Sequence, residues 1–349
     1  MTLTFDWFLP TSGDGRTIVG RGHGLSLAGA SGAQRAPDID YLAQIARSAE
    51  QLGFAAVLTP TGTWCEDAWL TTAALIAQTT RLKFLVAFRP GLITPTLAAQ
   101  MAATYQRISR GRLLLNVVTG GQAAEQARFG DHLAHDHRYA RTGEFLAIVR
   151  GAWSGQPFDF DGEHYQVTGA TVMKPPDPVP GVYFGGSSAA AGPVAAKYVD
   201  TYLTWGEPPA QVAEKLAWIR GLASAQGREL RFGIRPHVIT RDTEQEAWAV
   251  AGALLDHIAP AEVENAQKVL GATESTGQDR MHALHAGYRS SGVASDLEIY
   301  PHLWAAYWFG EGVMPELRRR GVWAPPSATP TSLGGAPERE LQASGYGRR

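Results

Sequence analysis

Seven short apolar runs, rich in β-branched and aromatic residues, recur along this chain, and most are separated by a segment of helical period. They are 5–10 (FDWFLP), 54–60 (FAAVLTP), 82–90 (LKFLVAFRP), 113–120 (LLLNVVTG), 182–186 (VYFGG), 201–206 (TYLTWG) and 231–240 (RFGIRPHVIT). Runs that stay apolar without alternating mark strands buried on both faces, as in a parallel sheet. Between the first two, Leu42, Ile45, Ala46, Ala49 and Leu52 keep the i, i+3, i+4, i+7 spacing of one helix face, and Gly53 stands where a helix C-cap belongs. The segments near 67–80, 95–109, 139–153 and 209–223 repeat the arrangement. Such alternation over 349 residues predicts a parallel α/β sheet, closed as a (β/α)₈ TIM barrel or left open and doubly wound.

Two observations favour the barrel. No Gly-x-Gly-x-x-Gly follows the first run, as a dinucleotide-binding open sheet requires. Most runs also end in polar or kink-forming residues, such as Pro10-Thr11-Ser12, Pro60-Thr61-Gly62, Arg89-Pro90, Thr119-Gly120 and Gly186-Ser187-Ser188. In a barrel those ends converge on one rim and build one site. The stretch 158–167 (FDFDGEHYQV), centred on Asp161-Gly162, reads as a hairpin inserted within about 156–170. Residues 1–323 are expected to form one barrel domain, and the Pro-, Ser- and Gly-rich tail 324–349 a disordered one.

Composition narrows the partners. With 31 basic and 33 acidic residues the chain lacks the charge excess that grips nucleic acid or an anionic membrane. A single cysteine excludes an intramolecular disulfide and CxxC zinc sites, which suits a reducing compartment. The N-terminal residues lack a basic region followed by an apolar core, so a cytoplasmic location is expected. Apolar helical segments such as 243–258 serve either the outer ring of the barrel or a homo-oligomer interface.

Several residues invite chemistry. Cys65 follows the second run and is flanked by Glu66 and Asp67, whose charge raises a thiol pKa; it reads as a small buried hydrophobe or as a rim thiol. Arg235 and His237 lie two apart in a strand and so share a face. They form either an exposed surface pair or a pair that needs an anion or a polar cavity. If the turn beginning at His135 is helical, His135 and Tyr139 share a face and offer two donors to a phosphate or a flavin edge; a solvated helix start is the other reading. Gly185-Gly186-Ser187-Ser188 runs from a strand into a helix, where small residues admit a phosphate to backbone N–H groups. Asn116 and Thr119 end the fourth run on the same rim. Among the 10 histidines, the grouping 132, 135, 137 lacks a carboxylate at a familiar spacing, and nothing matches His-Glu-x-x-His, so no metal is expected.

Taken together, "WFLPTSGDG" (7–15), "PTGTWCEDAWL" (60–70), "RLKFLVAFRPG" (81–91), "GRLLLNVVTGG" (111–121), "RYARTGEF" (138–145), "VYFGGSS" (182–188), "TYLTWGEPP" (201–209) and "RFGIRPHVI" (231–239) resemble the FMNH₂-dependent alkanesulfonate monooxygenases of the bacterial luciferase-like superfamily. The resemblance spans most of residues 4–299 and implies a TIM barrel that takes reduced FMN from a separate NAD(P)H-dependent flavin reductase. It implies oxidation by dioxygen of the carbon bearing a sulfonate, giving an aldehyde and sulfite. By the same resemblance Cys65, Arg235, His237 and Tyr300 are active-site residues, and His135, Tyr139, Ser187, Ser188, Asn116 and Thr119 hold FMN. Three departures stand out. Ser12 replaces a family histidine, 16–35 is longer than the family pattern, and "LEI" (297–299) runs directly into "YPHL" (300–303), omitting about one βα unit. A flavin-binding protein with a shortened, catalytically impaired barrel is therefore the alternative expectation. A deazaflavin-dependent oxidoreductase is a third, disfavoured by the Cys65 block and the Arg235/His237 pair.

Overall fold

The computed structural model describes residues 3–14, 35–236, 238–256 and 274–285, together with Glu298, Tyr300, Pro301 and Leu303. In chain order the elements are β1 (Asp6–Phe8), α1 (Ile39–Leu52), β2 (Ala56–Thr59), α2 (Ala68–Leu75), β3 (Lys83–Phe88), α3 (Pro95–Ser109), β4 (Leu113–Val117), α4 (Ala123–Arg128) and α5 (His135–Ala152). They continue as β5 (Phe158–Asp161), β6 (Gln166–Ala170), β7 (Gly181–Gly185), α6 (Ala191–Tyr198), β8 (Thr201–Trp205), α7 (Pro209–Ser224), β9 (Arg231–Arg235), α8 (Glu244–Asp256) and α9 (Thr276–His285). All seven apolar runs become strands of one parallel sheet, ordered β1-β2-β3-β4-β7-β8-β9, while β5 and β6 pair separately as an antiparallel hairpin.

Local chemistry explains the boundaries. The Asp38 carboxylate accepts the Tyr41 amide at 2.8 Å to open α1, and Gly53 closes it in the left-handed region. Asp67 caps α2 through the Leu70 amide in the same way. Pro95 starts α3, where its missing N–H costs nothing. At α8, Thr243 and Glu246 exchange hydrogen bonds as a capping box. On β4, Leu113, Leu115 and Val117 are buried beneath the helices, whereas Leu114 and Asn116 point the other way and are only half-buried. Alternation therefore turns Asn116 toward the inside of the curled sheet.

The sheet is of the TIM-barrel kind, rolled into a partial barrel of seven parallel strands among the described residues. Its outer strands come close: the Arg235 guanidinium of β9 lies 5.2 Å from the ring centroid of Phe8 on β1, and Asp6 on β1 feels the charge of Arg231 on β9. Among the described residues no eighth parallel strand intervenes, in keeping with the short connection before Tyr300; Tyr300 makes an isolated bridge to Leu303, whose side chain comes against Gly206 at the end of β8. The extra stretch 16–35, apart from Arg35, lies outside the described residues, as does the tail 324–349.

Two expectations are amended. α5 begins at His135 rather than near 139, and a short α4 precedes it without a side-chain cap. The hairpin turn is not a tight reversal at Asp161-Gly162, because Asp161 still pairs with Gln166 and the reversal occupies 162–165. The reason is Glu144 on α5, whose carboxylate accepts the amides of Glu163, His164 and Tyr165 at 2.9, 2.9 and 3.0 Å and so shapes a longer loop.

Just past β3, Gly91 adopts φ +100°, and a Cβ there would meet the Arg141 guanidinium carbon at 2.2 Å while Arg141 is engaged with Asp131. Gly91→Ala should therefore destabilise the fold by about 2–4 kcal/mol, seen as a lower urea midpoint with an unchanged slope.

Candidate active site

The C-terminal ends of the strands gather a band of buried polar side chains. Arg89, just after β3, is nearly inaccessible and pairs with Glu125 of α4 at 2.7 Å. Its Nε and Nη1, Oε1 of Glu125, and the hydroxyls of Thr59 and Thr119 are buried without a hydrogen-bond partner among the described residues. Buried polar atoms are normally satisfied, so such a cluster at one rim marks a place built to meet a polar ligand. Close approach is enforced nearby: a Cβ on Gly62 would lie 2.6 Å from Glu125 Oε1, and one on Gly120 would lie 1.4 Å from Gln126 Nε2.

Cys65 belongs to this band. Its thiol contacts the Gly62 carbonyl at 3.6 Å and lies beside Thr11, with Arg89 and Glu125 within electrostatic reach. Burial pushes the thiol pKa up to about 11; Thr11 and Arg89 offset this in part, whereas Glu125 and Asp67 add to it. Cys65 is consequently a neutral thiol at neutral pH, suited to packing and weak hydrogen bonding rather than nucleophilic attack.

A second group forms where β7 runs into α6. With the first turn of α5 helical, the rings of His135 and Tyr139 stand 5.0 Å apart, and Tyr139 also packs edge-on against Phe184 of β7 at 6.0 Å. The Tyr139 phenol pKa is raised by burial and partly offset by the Ser188 hydroxyl beside it, although no hydrogen bond of normal geometry closes on Ser188 Oγ. Tyr202 of β8 donates its hydroxyl to the Gly186 carbonyl at 2.6 Å, fixing the backbone between β7 and Ser187. A Cβ on Gly186 would meet the Tyr139 oxygen at 3.0 Å and Ala191 at 2.7 Å, so glycine keeps this cradle open. Hydroxyl donors and a helix N-terminus with no side-chain cap can hold an anion of phosphate type. Asn116 and Thr119, on β4 and just beyond it, stand on the strand next to β7.

Arg235, exposed at the end of β9, lies over Phe8 of β1; alternation turns it away from Phe232, which packs under Arg220 of α7. Its partner His237 lies outside the described residues. Tyr300 is 46% exposed, and Ser12 is half-buried in the turn after β1.

The sequence reading missed the ionic frame that closes the rim from above. Arg138, 1% exposed, donates to the carbonyls of Leu133 and Gly120 and pairs with Glu274 at 2.7 Å. Gly121 accepts the Glu274 amide, and Gly277 on α9 lies over Ser187. Buried Glu207, after β8, accepts from Lys215 and from Arg280 at 2.7 Å. Burial alone would raise the Glu207 carboxyl, yet the hydrogen bonds and charges of Arg280 and Lys215 hold it below the usual range. The only local signal was the position of Gly120 and Glu207 just past strand ends; Arg138 and Glu274, and Glu207 and Arg280, are far apart in sequence.

The family model for luciferase-like monooxygenases matches residues 4–307. The chain belongs to this family. Among solved structures, a riboflavin lyase captured with a modified FMN and its substrate riboflavin is 21% identical, with a TM-score of 0.76 and 93% of each chain covered. A long-chain alkane monooxygenase matches at 16% identity and TM-score 0.72, again over 93% of both chains. The EDTA monooxygenase from Chelativorans sp. BNC1 is 22% identical with a TM-score of 0.65, over 78% of this chain and 70% of that one. At such identities the likeness concerns the fold. No helix among the described residues is long and apolar enough to cross a membrane.

For this luciferase-like chain, alkylation of Cys65 by iodoacetamide should rise with pH through about 11, and at neutral pH run about 100-fold slower than for an unperturbed cysteine. Timed mass spectrometry of the single thiol checks this.

Proposed function

We propose that the protein is a two-component flavin monooxygenase that uses reduced FMN, supplied by a separate NAD(P)H-dependent reductase, and dioxygen to convert alkanesulfonates to aldehydes and sulfite. The observation that carries this reading is a cradle of phosphate type at Gly186, Ser187, Ser188 and Tyr139 together with an exposed arginine, Arg235, set over Phe8 at the end of β9. The cradle fits a flavin phosphate because the Ser188 hydroxyl is buried without a partner among the described residues, its glycine keeps space, and a helix begins there. His135 and Tyr139 would steady the flavin from α5, with Asn116 and Thr119 along β4. Reduced FMN, when bound, supplies the electrons that activate dioxygen; one oxygen atom ends in the aldehyde and the other in water, while the carbon–sulfur bond breaks to release sulfite.

The chain's own residues supply binding and charge control. Arg235 carries a permanent positive charge whose guanidinium can pair with a sulfonate, and Phe8 beneath it gives an apolar flank for an alkyl chain. Cys65, protonated and set beside Thr11, would contribute a weak donor and an apolar surface to the rim. His237, two residues beyond Arg235, would donate or accept a proton near neutral pH. The rim ion pairs tie together the loops that carry these residues.

A second reading is favoured by one observation, the meeting of β1 and β9 with no eighth strand described between them. It is a luciferase-like flavin binder with little turnover. The two are separated by assaying sulfite release from alkanesulfonates of graded length, with FMN, NADPH and an independent reductase, alongside titration with reduced FMN. Sulfite release that falls about 100-fold in kcat/KM for Arg235→Ala, with flavin affinity retained, supports the monooxygenase; that loss equals about 3 kcal/mol of transition-state stabilisation. Tight flavin binding without sulfite from any sulfonate leaves the impaired binder as the account. Loss of flavin binding in Ser188→Ala and Tyr139→Phe tests the cradle under either reading.

A further inference from the structure

Where the β5–β6 turn folds back onto α5, His137, Glu163 and His164 bring one ligating atom each to within 4.8 Å of one another. His137 Nδ1 stands 3.5 Å from a Glu163 oxygen, and the imidazoles of His137 and His164 lie 6.0 Å apart at 85°. His164 Nε2 is buried and has no hydrogen-bond partner. We propose that these three side chains form a binding site for a divalent transition-metal ion of the zinc class. Two imidazole nitrogens and one carboxylate oxygen are the donor set such ions prefer, and three protein ligands leave a fourth position for water.

The geometry is close to what coordination needs. Ligand atoms around a tetrahedral zinc are about 3.3 Å apart, given bond lengths near 2.0–2.1 Å. Drawing 3.5–4.8 Å separations inward takes only side-chain rotation, and His137 and Glu163 are solvent-exposed enough to rotate without disturbing the core. The backbone is already fixed for this purpose. Glu144 clamps the amides of Glu163, His164 and Tyr165, and Gly162 allows its approach, since a Cβ there would meet Glu144 Oε2 at 2.6 Å. Support of the ligand-bearing loop by hydrogen bonds behind it is what holds metal ligands in place. The single acidic ligand and exposed Asp136 next to His137 give the locality a negative potential that attracts a cation.

Sequence spacing hides this site. His137 is joined not by His132 or His135 but by a Glu-His pair from the hairpin, more than twenty positions onward, and only the docking of β5–β6 on α5 unites them. The bound ion would staple the hairpin to the first turn of α5, the turn that presents His135 and Tyr139 to the cradle. The site stands apart from the proposed oxygenation chemistry and does not depend on it.

The test uses untagged full-length protein, stripped with a chelator and dialysed, titrated with zinc chloride by calorimetry. One equivalent is expected to bind, with affinity at least tenfold weaker in His137→Ala and in His164→Ala and unchanged in His132→Ala. Hydrogen exchange should slow across 158–170 and the start of α5 when zinc is added, and the effect should vanish in the double variant H137A/H164A, whose fold is checked by circular dichroism. Zinc binding that persists in the folded double variant, or that leaves 158–170 unprotected, places the ion elsewhere and overturns the proposal. So does failure of the parent protein to bind zinc at millimolar concentration.

Discussion

A buried guanidinium cannot be left without partners, and the rim of this barrel is arranged around one. Arg138 is almost wholly inaccessible, and removing such a cation from water costs several kcal/mol unless hydrogen bonds and a counter-charge replace the lost hydration. Leu133 and Gly120 supply carbonyls, and Glu274 supplies the charge. Satisfying Arg138 thus fixes the loop before α5, the end of β4 and the segment leading into α9 in one step. Tyr139, one residue on, packs against Phe184 beside Ser188, so the Arg138 anchor and this group of side chains share one helical turn.

The same logic recurs around the rim. Arg89 with Glu125, Arg141 with Asp131, and Glu207 with both Lys215 and Arg280 are ion pairs with at least one buried partner, each bridging segments that the strands alone would leave apart. Buried ion pairs contribute little net stability, but breaking one leaves an uncompensated charge, so they specify position more than they strengthen the fold. That suits a site whose loops must hold still while the sheet provides the bulk of the apolar burial.

Much of the architecture was legible in the sequence because it is encoded locally. Unbroken runs such as Lys83–Phe88 could only be strands covered on both faces, and Gly53 announced the end of α1 through a cap whose chemistry lies within four residues. The His135–Tyr139 pairing was conditional on helix at His135, and that condition holds. Tertiary partnership was not legible. Nothing near Arg138 names Glu274, nothing near Glu207 names Arg280, and nothing near His137 names His164, because periodicity fixes which way a side chain faces but not what arrives opposite it. The hairpin turn was misplaced for the same reason: its shape is imposed by Glu144 from another element.

The pairing of Arg138 with Glu274 closes over 136 positions of chain. Contacts of such span cannot assist the first stages of collapse, since the entropy of bringing the ends together must be met before the contact returns anything. During synthesis, β4 and α5 leave the ribosome well before Glu274 does, and Arg138 has to wait, hydrated, while eight further described elements are added. By topology the cap over the rim is therefore a late acquisition, laid on a sheet whose neighbouring strands already pair, and the part of the molecule that would meet a ligand is the part whose assembly is least local.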